Sequence, residues 1–141
     1  MFRGCNGVRD VVTIIVADDD ELVRKYFVDV LEFAGYEVLP ARTGLEALDL
    51  VQRRNDACLL LTDVQMPGLD GLSLARRARE VHGDIDVVYV TGRDKGDLAD
   101  LAVPDSCILR KPCRATVLLK AVEMMLAGAR ARGRRGEALV A

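Results

Sequence analysis

Short apolar runs alternate with helix-periodic segments along nearly the whole chain, and this alternation restricts the fold more than any other feature. Val11–Ala17 (VVTIIVA) is β-branched and almost unbroken, the pattern of a strand covered on both faces. From Asp20 to Ala34 the apolar residues Leu22, Val23, Tyr26, Phe27, Val30, Leu31 and Ala34 fall at steps of three and four, which predicts an amphipathic helix that Gly35 ends. Further strands are expected over Glu37–Pro40, Ala57–Leu61, Val87–Val90 and Cys107–Arg110. Helices are expected over Gly44–Arg53, with Leu45, Leu48 and Val51 facing in, and over Gly71–Val81, closed by His82-Gly83. A last helix is expected over Arg114–Leu126, with Val117, Leu118, Ala121, Val122 and Met125 inward. Strands alternating with helices in this way predict an α/β fold: a doubly wound, five-stranded parallel sheet with right-handed crossovers and helices on both faces.

The chain has 141 residues, enough for one domain with a sizeable core. Residues 1–10 read as a short N-terminal extension, 11–127 as the domain and 128–141 as a basic, flexible tail carrying Arg130, Arg132, Arg134 and Arg135. Twenty Lys and Arg against 22 Asp and Glu give no electrostatic reason to expect direct DNA binding. The longest apolar run, Val11–Ala17, is too short to span a membrane, which takes about 20 residues. Residues 1–10 lack the apolar stretch of a signal peptide, so the chain is expected to be cytoplasmic. The four cysteines, Cys5, Cys58, Cys107 and Cys113, form no Cys-x-x-Cys pair and read as reduced thiols, Cys58 as a small core residue. The single histidine, His82, reads as a surface residue at a helix end, and Met124 and Met125 as packing residues.

In a doubly wound sheet the ligand site forms at the carboxyl ends of the strands. Those ends carry Asp18, Asp19 and Asp20, then Thr62 and Asp63, then Thr91, then Lys111 and Pro112. Asp20 alone reads as a helix N-cap. Crowded carboxylates repel one another and a hard divalent cation relieves that, with Mg²⁺ the best fit to oxygen ligands and phosphate. A carboxylate beside such a cation can attack phosphorus and form an aspartyl phosphate, while a hydroxyl and an ammonium bind the phosphoryl oxygens. Each element alone has a structural explanation, and their convergence at four strand ends is what points to this chemistry.

The segments IIVADDD (Ile14–Asp20), LLLTDVQMPGLDG (Leu59–Gly71), VYVTG (Val88–Gly92) and ILRKP (Ile108–Pro112) together resemble the receiver domain of two-component response regulators, the CheY-like superfamily. The resemblance covers roughly Val11 to Leu126. It implies a flavodoxin-like (βα)5 fold with strand order 2-1-3-4-5. It implies that Asp63 is the phosphoacceptor, that Asp18, Asp19 and Asp63 hold Mg²⁺ (with Mn²⁺ a substitute), and that Gln65 offers the metal its backbone carbonyl. Thr91 would hydrogen-bond the phosphoryl group and Lys111 would pair with it. A cis bond to Pro112 would aim Lys111 inward, Met66 and Pro67 would shape the loop after Asp63, and Gly71 would permit a tight approach into the next helix. The donor would be a sensor histidine kinase or a histidine phosphotransfer protein. The chain would switch a downstream protein target and would not be an enzyme beyond Mg²⁺-dependent self-phosphorylation and autodephosphorylation. It is expected to be a monomer or weak dimer.

Two departures from the family pattern stand out. Ile108 occupies the position, three residues before the lysine, where the family usually has a Tyr or Phe switch. The stretch between Thr91 and Lys111 is short, and Gly96 and Pro104 bracket at most about two helical turns. A receiver-like interaction module that works without phosphorylation is therefore the alternative. A third possibility, a phosphohydrolase with an Asp nucleophile, would need a second acid two residues on, where Gln65 stands.

Overall fold

The computed structural model describes residues 11–93, 96 and 98–132. Its elements in chain order are β1 (Thr13–Ala17), α1 (Glu21–Phe33), β2 (Glu37–Ala41), α2 (Gly44–Arg53), β3 (Ala57–Asp63), α3 (Gly71–Val81), β4 (Asp86–Thr91), β5 (Ser106–Arg110) and α4 (Ala115–Arg132). The strands form one parallel sheet in the order β2-β1-β3-β4-β5, as the resemblance implies. The three inner strands are buried along their whole length, which is why they read as continuous apolar runs. Pro40 is confined to the edge strand β2, where a missing N–H costs least.

Strand pleating divides the core. Ile14, Val16, Leu59, Leu61, Val88 and Val90 face α1 and α4, where Phe27, Leu31, Leu118 and Val122 meet them. Ile15, Ala17 and Leu60 face α2 and α3. Val87 and Tyr89 share that second face and form their own cluster with Ala75, Leu98 and Val103. Short polar side chains start the helices: Asp20 accepts from the N–H groups of Leu22 and Val23, Thr43 from Glu46, and Asp70 from Ser73.

The structure departs from the sequence reading in several places. β3 runs two residues past the end expected at Leu61 and β4 one past Val90, so Asp63 and Thr91 are the last residues of their strands. Leu22, Leu45 and Val117 are exposed, at 79, 61 and 48 %, and Met124 is exposed as well. The buried stripe of each helix is narrower than its apolar content, because small residues such as Ala47 and Ala121 take the positions against the sheet. Between β4 and β5 the described residues hold no α-helix. Leu98 instead closes a turn by accepting from the N–H groups of Leu101 and Ala102. Among the described residues the last helix runs to Arg132, past the end expected at Leu126, with Gly128 inside it. The extension at 1–10 and residues 133–141 lie outside the described residues. Cys58 is buried as expected, but its sulfur is in a disulfide, so the reading of four reduced thiols does not hold; Cys107 and Cys113 are free.

Gly71 is where the backbone sets the position of Asp63. Its N–H donates to the Val64 carbonyl at 2.8 Å, and a Cβ placed there would lie 2.1 Å from the Asp63 carbonyl oxygen. That contact is with backbone at a buried strand end, so it cannot be relieved by a rotamer change. Gly92, by contrast, has open space around its Cα. Gly71→Ala is expected to destabilise the protein by about 3 kcal/mol, and Gly92→Ala by less than about 0.5 kcal/mol. Urea unfolding curves of the two variants check this, and a Gly71→Ala midpoint near that of the wild type would refute it.

Candidate functional site

The parallel sheet delivers its residues to one edge. Asp18 follows β1, Asp63 ends β3, Thr91 ends β4 and Lys111 follows β5. The Lys111 N–H donates to the Thr91 carbonyl at 2.8 Å, which ties the exit of β5 to β4. The peptide bond between Lys111 and Pro112 is cis. From there the Lys111 ammonium reaches back across the sheet edge. Its Nζ lies 3.3 Å from Asp18 Oδ2 and 3.3 Å from Asp63 Oδ2.

Asp18 has no exposure, yet every acceptor it presents is engaged. Oδ1 accepts from the Asp20 N–H at 2.9 Å, Oδ2 faces Lys111, and its backbone carbonyl accepts from Arg24 Nη1 at 2.8 Å. Asp63 is 8 % exposed, and its Oδ1 accepts only a long 3.4 Å contact from the Gln65 N–H. Asp19 is exposed at the mouth. One carboxylate oxygen from each of Asp18, Asp19 and Asp63 lies within 4.8 Å of the others. Three carboxylates against one ammonium leave an excess of negative charge among oxygen donors alone, a donor set that fits a hard divalent cation such as Mg²⁺.

The electrostatics follow from this crowding. Burial pushes the Asp63 carboxyl above its ordinary value; Lys111 opposes the shift and the charge of Asp18 adds to it. Burial also works against the Lys111 ammonium, but Asp18 and Asp63 outweigh it and hold Lys111 above its ordinary value. Lys111 is therefore charged throughout the neutral range, and Asp63 is the strained member of the set.

Other residues named from the sequence take these places. The Thr91 hydroxyl is buried beside the edge and accepts from the Arg93 N–H at 3.0 Å. Gln65 is exposed on the loop after Asp63, Met66 packs into the core under α2 and α3, and Pro67 is exposed. Ile108 is half-buried in β5, opposite Tyr89 of β4. His82 lies at the end of α3, its ring Nε2 2.7 Å from the Asn55 carbonyl oxygen. Two residues escaped the sequence reading. Arg24 is polar on a helix read for its apolar stripe. Tyr89 sits inside a strand read only for its burial. The six-residue step from Asp18 to Arg24, just over one helical turn beyond the cap, was the available signal for the first.

The family profile of the response regulator receiver domain matches residues 14–123. The response regulator receiver protein CpdR of Brucella abortus is 38% identical over 118 residues, covering 82% of this chain and 98% of that protein. The response regulator MprA of a Mycobacterium species (strain KMS) is 45% identical over 84 residues, 59% of this chain but only 36% of that longer protein. Among solved structures, a response regulator receiver protein from Sinorhizobium medicae superimposes with a TM-score of 0.81 at 31% identity, covering 86% of this chain and 98% of the other.

The raised Asp63 carboxyl has a consequence for stability. A group whose folded pKa is raised favours the folded state in its protonated form, and that benefit is lost as pH rises through the folded value. At pH 7 the ionised Asp63 is thus a cost to folding. Asp63→Asn is expected to raise Tm at pH 7, by an amount that shrinks on acidification and vanishes below the ordinary carboxylate pKa of 3.8. Thermal melts of both proteins from pH 7 to pH 3 test this, and a lower Tm for the variant at pH 7 would contradict it.

Proposed function

The chain belongs to the response regulator receiver domain family and is a phosphorelay receiver; from that premise we propose that Asp63 accepts the phosphoryl group, assisted by Lys111, Thr91 and a Mg²⁺ held by Asp18, Asp19 and Asp63. The observation that carries this reading is the shared ammonium: Lys111 Nζ stands 3.3 Å from the carboxylates of both Asp18 and Asp63. An ammonium so placed is within reach of an oxygen of any group attached to Asp63.

The reaction needs no general base, because the Asp63 carboxylate is its own nucleophile. An Asp63 oxygen forms a bond to phosphorus while the bond from phosphorus to the donor imidazole nitrogen breaks. The bonding pair stays on that nitrogen, and the product is an acyl phosphate. The Lys111 ammonium then faces phosphoryl charge in place of carboxylate charge. The Thr91 hydroxyl, which accepts from Arg93, keeps its own proton to donate to a phosphoryl oxygen. A bound Mg²⁺ would neutralise charge on the carboxylates and the phosphoryl oxygens. The Gln65 carbonyl, two residues beyond Asp63, is the backbone ligand in this reading, and Mn²⁺ is a substitute for Mg²⁺. Hydrolysis of the acyl phosphate restores the carboxylate.

The donor in this reading is a sensor histidine kinase or a histidine phosphotransfer protein, and the output is a changed affinity for a downstream protein. The protein works as a switch in the cytoplasm rather than as a turnover enzyme, as a monomer or weak dimer. Among the described residues no helix is long and apolar enough to cross a membrane. Gln65 puts an amide where a phosphohydrolase would need an acid.

Incubation with acetyl phosphate and Mg²⁺ is expected to add one phosphoryl group by intact mass, and Asp63→Asn is expected to abolish it. Chelation with EDTA is expected to do the same. Lys111→Ala is expected to slow the transfer about 10²-fold while Mg²⁺ binding persists. Modification that survives in Asp63→Asn would remove Asp63 from its role, and an unslowed Lys111→Ala would remove Lys111.

A further inference from the structure

The family's aromatic switch position holds Ile108, yet the residue paired with it across the sheet is aromatic. Tyr89 of β4 is in direct register with Ile108 of β5. Neighbouring strands lie about 4.8 Å apart, so two paired residues on one face compete for one volume. A small aliphatic residue at 108 leaves that volume to the ring at 89. Tyr89 has no exposure, and its ring lies among Val64, Ala75, Val87, Leu98 and Val103. Val64 is the residue directly after Asp63, and Thr91 is two residues along the strand on the same face as Tyr89. The ring is thus linked to Asp63 through Val64 and to Thr91 through its own strand.

The other end of the side chain reaches the segment where the described residues form no α-helix. The Tyr89 hydroxyl accepts from the Val103 N–H at 3.1 Å, a buried contact 14 residues away in sequence. Three other groups set the geometry around it. Ser106 Oγ donates to the Val103 carbonyl at 2.6 Å, Arg79 Nη2 donates to the Asp105 carbonyl at 3.0 Å, and Asp105 has φ of 56°. The turn at Leu98–Ala102 therefore hangs between an anchored exit near Asp105 and the Tyr89 hydroxyl. Beside it lies a cavity of about 580 Å³, lined in part by Ala99, Ala102, Val103 and Ile108.

We propose that Tyr89 is the residue that couples the phosphoacceptor site to the segment 98–105, with its hydroxyl acting as a releasable latch on the Val103 N–H. This rests on the reading of Asp63 as phosphoacceptor. A phosphoryl group on Asp63 draws the Thr91 hydroxyl toward it. The end of β4 follows, the ring of Tyr89 shifts among Val64 and Leu98, and the hydroxyl leaves the Val103 N–H. The segment then opens and the cavity beside Ile108 changes shape. A switch of this kind works from β4 and needs no aromatic group in β5.

Amide hydrogen exchange of the full chain, read by NMR with and without beryllofluoride and Mg²⁺, tests the coupling. In the wild type the Val103 amide is expected to exchange at least tenfold faster once the phosphoryl mimic is bound, while the Val51 amide in α2 is unaffected. In Tyr89→Phe, which keeps the ring and removes the hydroxyl, Val103 is expected to exchange fast in both states. A merely structural Tyr89 predicts instead a Val103 rate that ignores the mimic in the wild type, and that result overturns the proposal. It is also overturned if Tyr89→Phe responds to the mimic as the wild type does. The wild-type comparison stands even if the variant fails to fold. Mass spectrometry after acetyl phosphate treatment separates the two layers: absent modification of Asp63 defeats the site reading and this proposal together, whereas full modification with an unresponsive Val103 defeats the coupling alone.

Discussion

A carboxylate without solvent must be stabilised from within, and the way Asp18 achieves this organises the whole sheet edge. Its three acceptor oxygens draw on the Asp20 backbone, the Lys111 ammonium and the Arg24 guanidinium, groups carried by the loop after β1, the end of β5 and the first turns of α1. These partners are 2, 93 and 6 residues away in sequence. Removing the Lys111 ammonium would leave the buried Asp18 charge without its counter-ion, which costs far more than a surface ion pair contributes. The edge of the sheet is therefore held by electrostatics that cross it, on top of apolar packing that lies beneath it.

The same arrangement leaves Asp63 poorly served. It shares Lys111 with Asp18, keeps only a long contact to the Gln65 N–H, and sits at a buried strand end fixed by the close approach of Gly71. Poor satisfaction of an ionised nucleophile is what a phosphoacceptor requires, since a carboxylate saturated with hydrogen bonds holds its electron pairs too tightly to attack. Asp18, fully satisfied, is suited to be a fixed point of charge. Asp19, exposed at the mouth, is suited to meet an incoming cation. Three identical side chains acquire three environments from burial and partners alone.

The charge chemistry was legible in the sequence because it depends on residue type at strand ends, and burial makes strand ends visible as breaks in apolar runs. Asp18, Asp63, Thr91 and Lys111 could be placed at one edge from the alternation of strands and helices without knowing a single distance. What could not be read was anything set by pairing between distant segments. The exposure of Leu22, Leu45 and Val117 depends on where small residues let a helix approach the sheet. The disulfide at Cys58 could not be read either, since four cysteines without spacing carry no pairing information. Arg24 was overlooked because its partner is a backbone carbonyl, a group that every residue has and no residue type announces. The Tyr89 contact was hidden for the same reason, its partner being the N–H of Val103.

The register between β4 and β5 shows why an apparent loss in one strand has to be judged with its neighbour in view. Position 108 taken alone looks like the removal of an aromatic group. Seen with its partner, Ile108 lies beside an aromatic ring at position 89 whose hydroxyl meets the segment beyond Leu98. Tyr89 and Thr91 share one strand and one face, whereas a residue at 108 would have to follow Thr91 through space. A stiff strand two residues long transmits a displacement more directly than a gap that a side chain must swing to fill. The absence of an α-helix among the described residues between β4 and β5 fits this, because a helix packed along the sheet would resist movement of the segment when the Tyr89 contact is released.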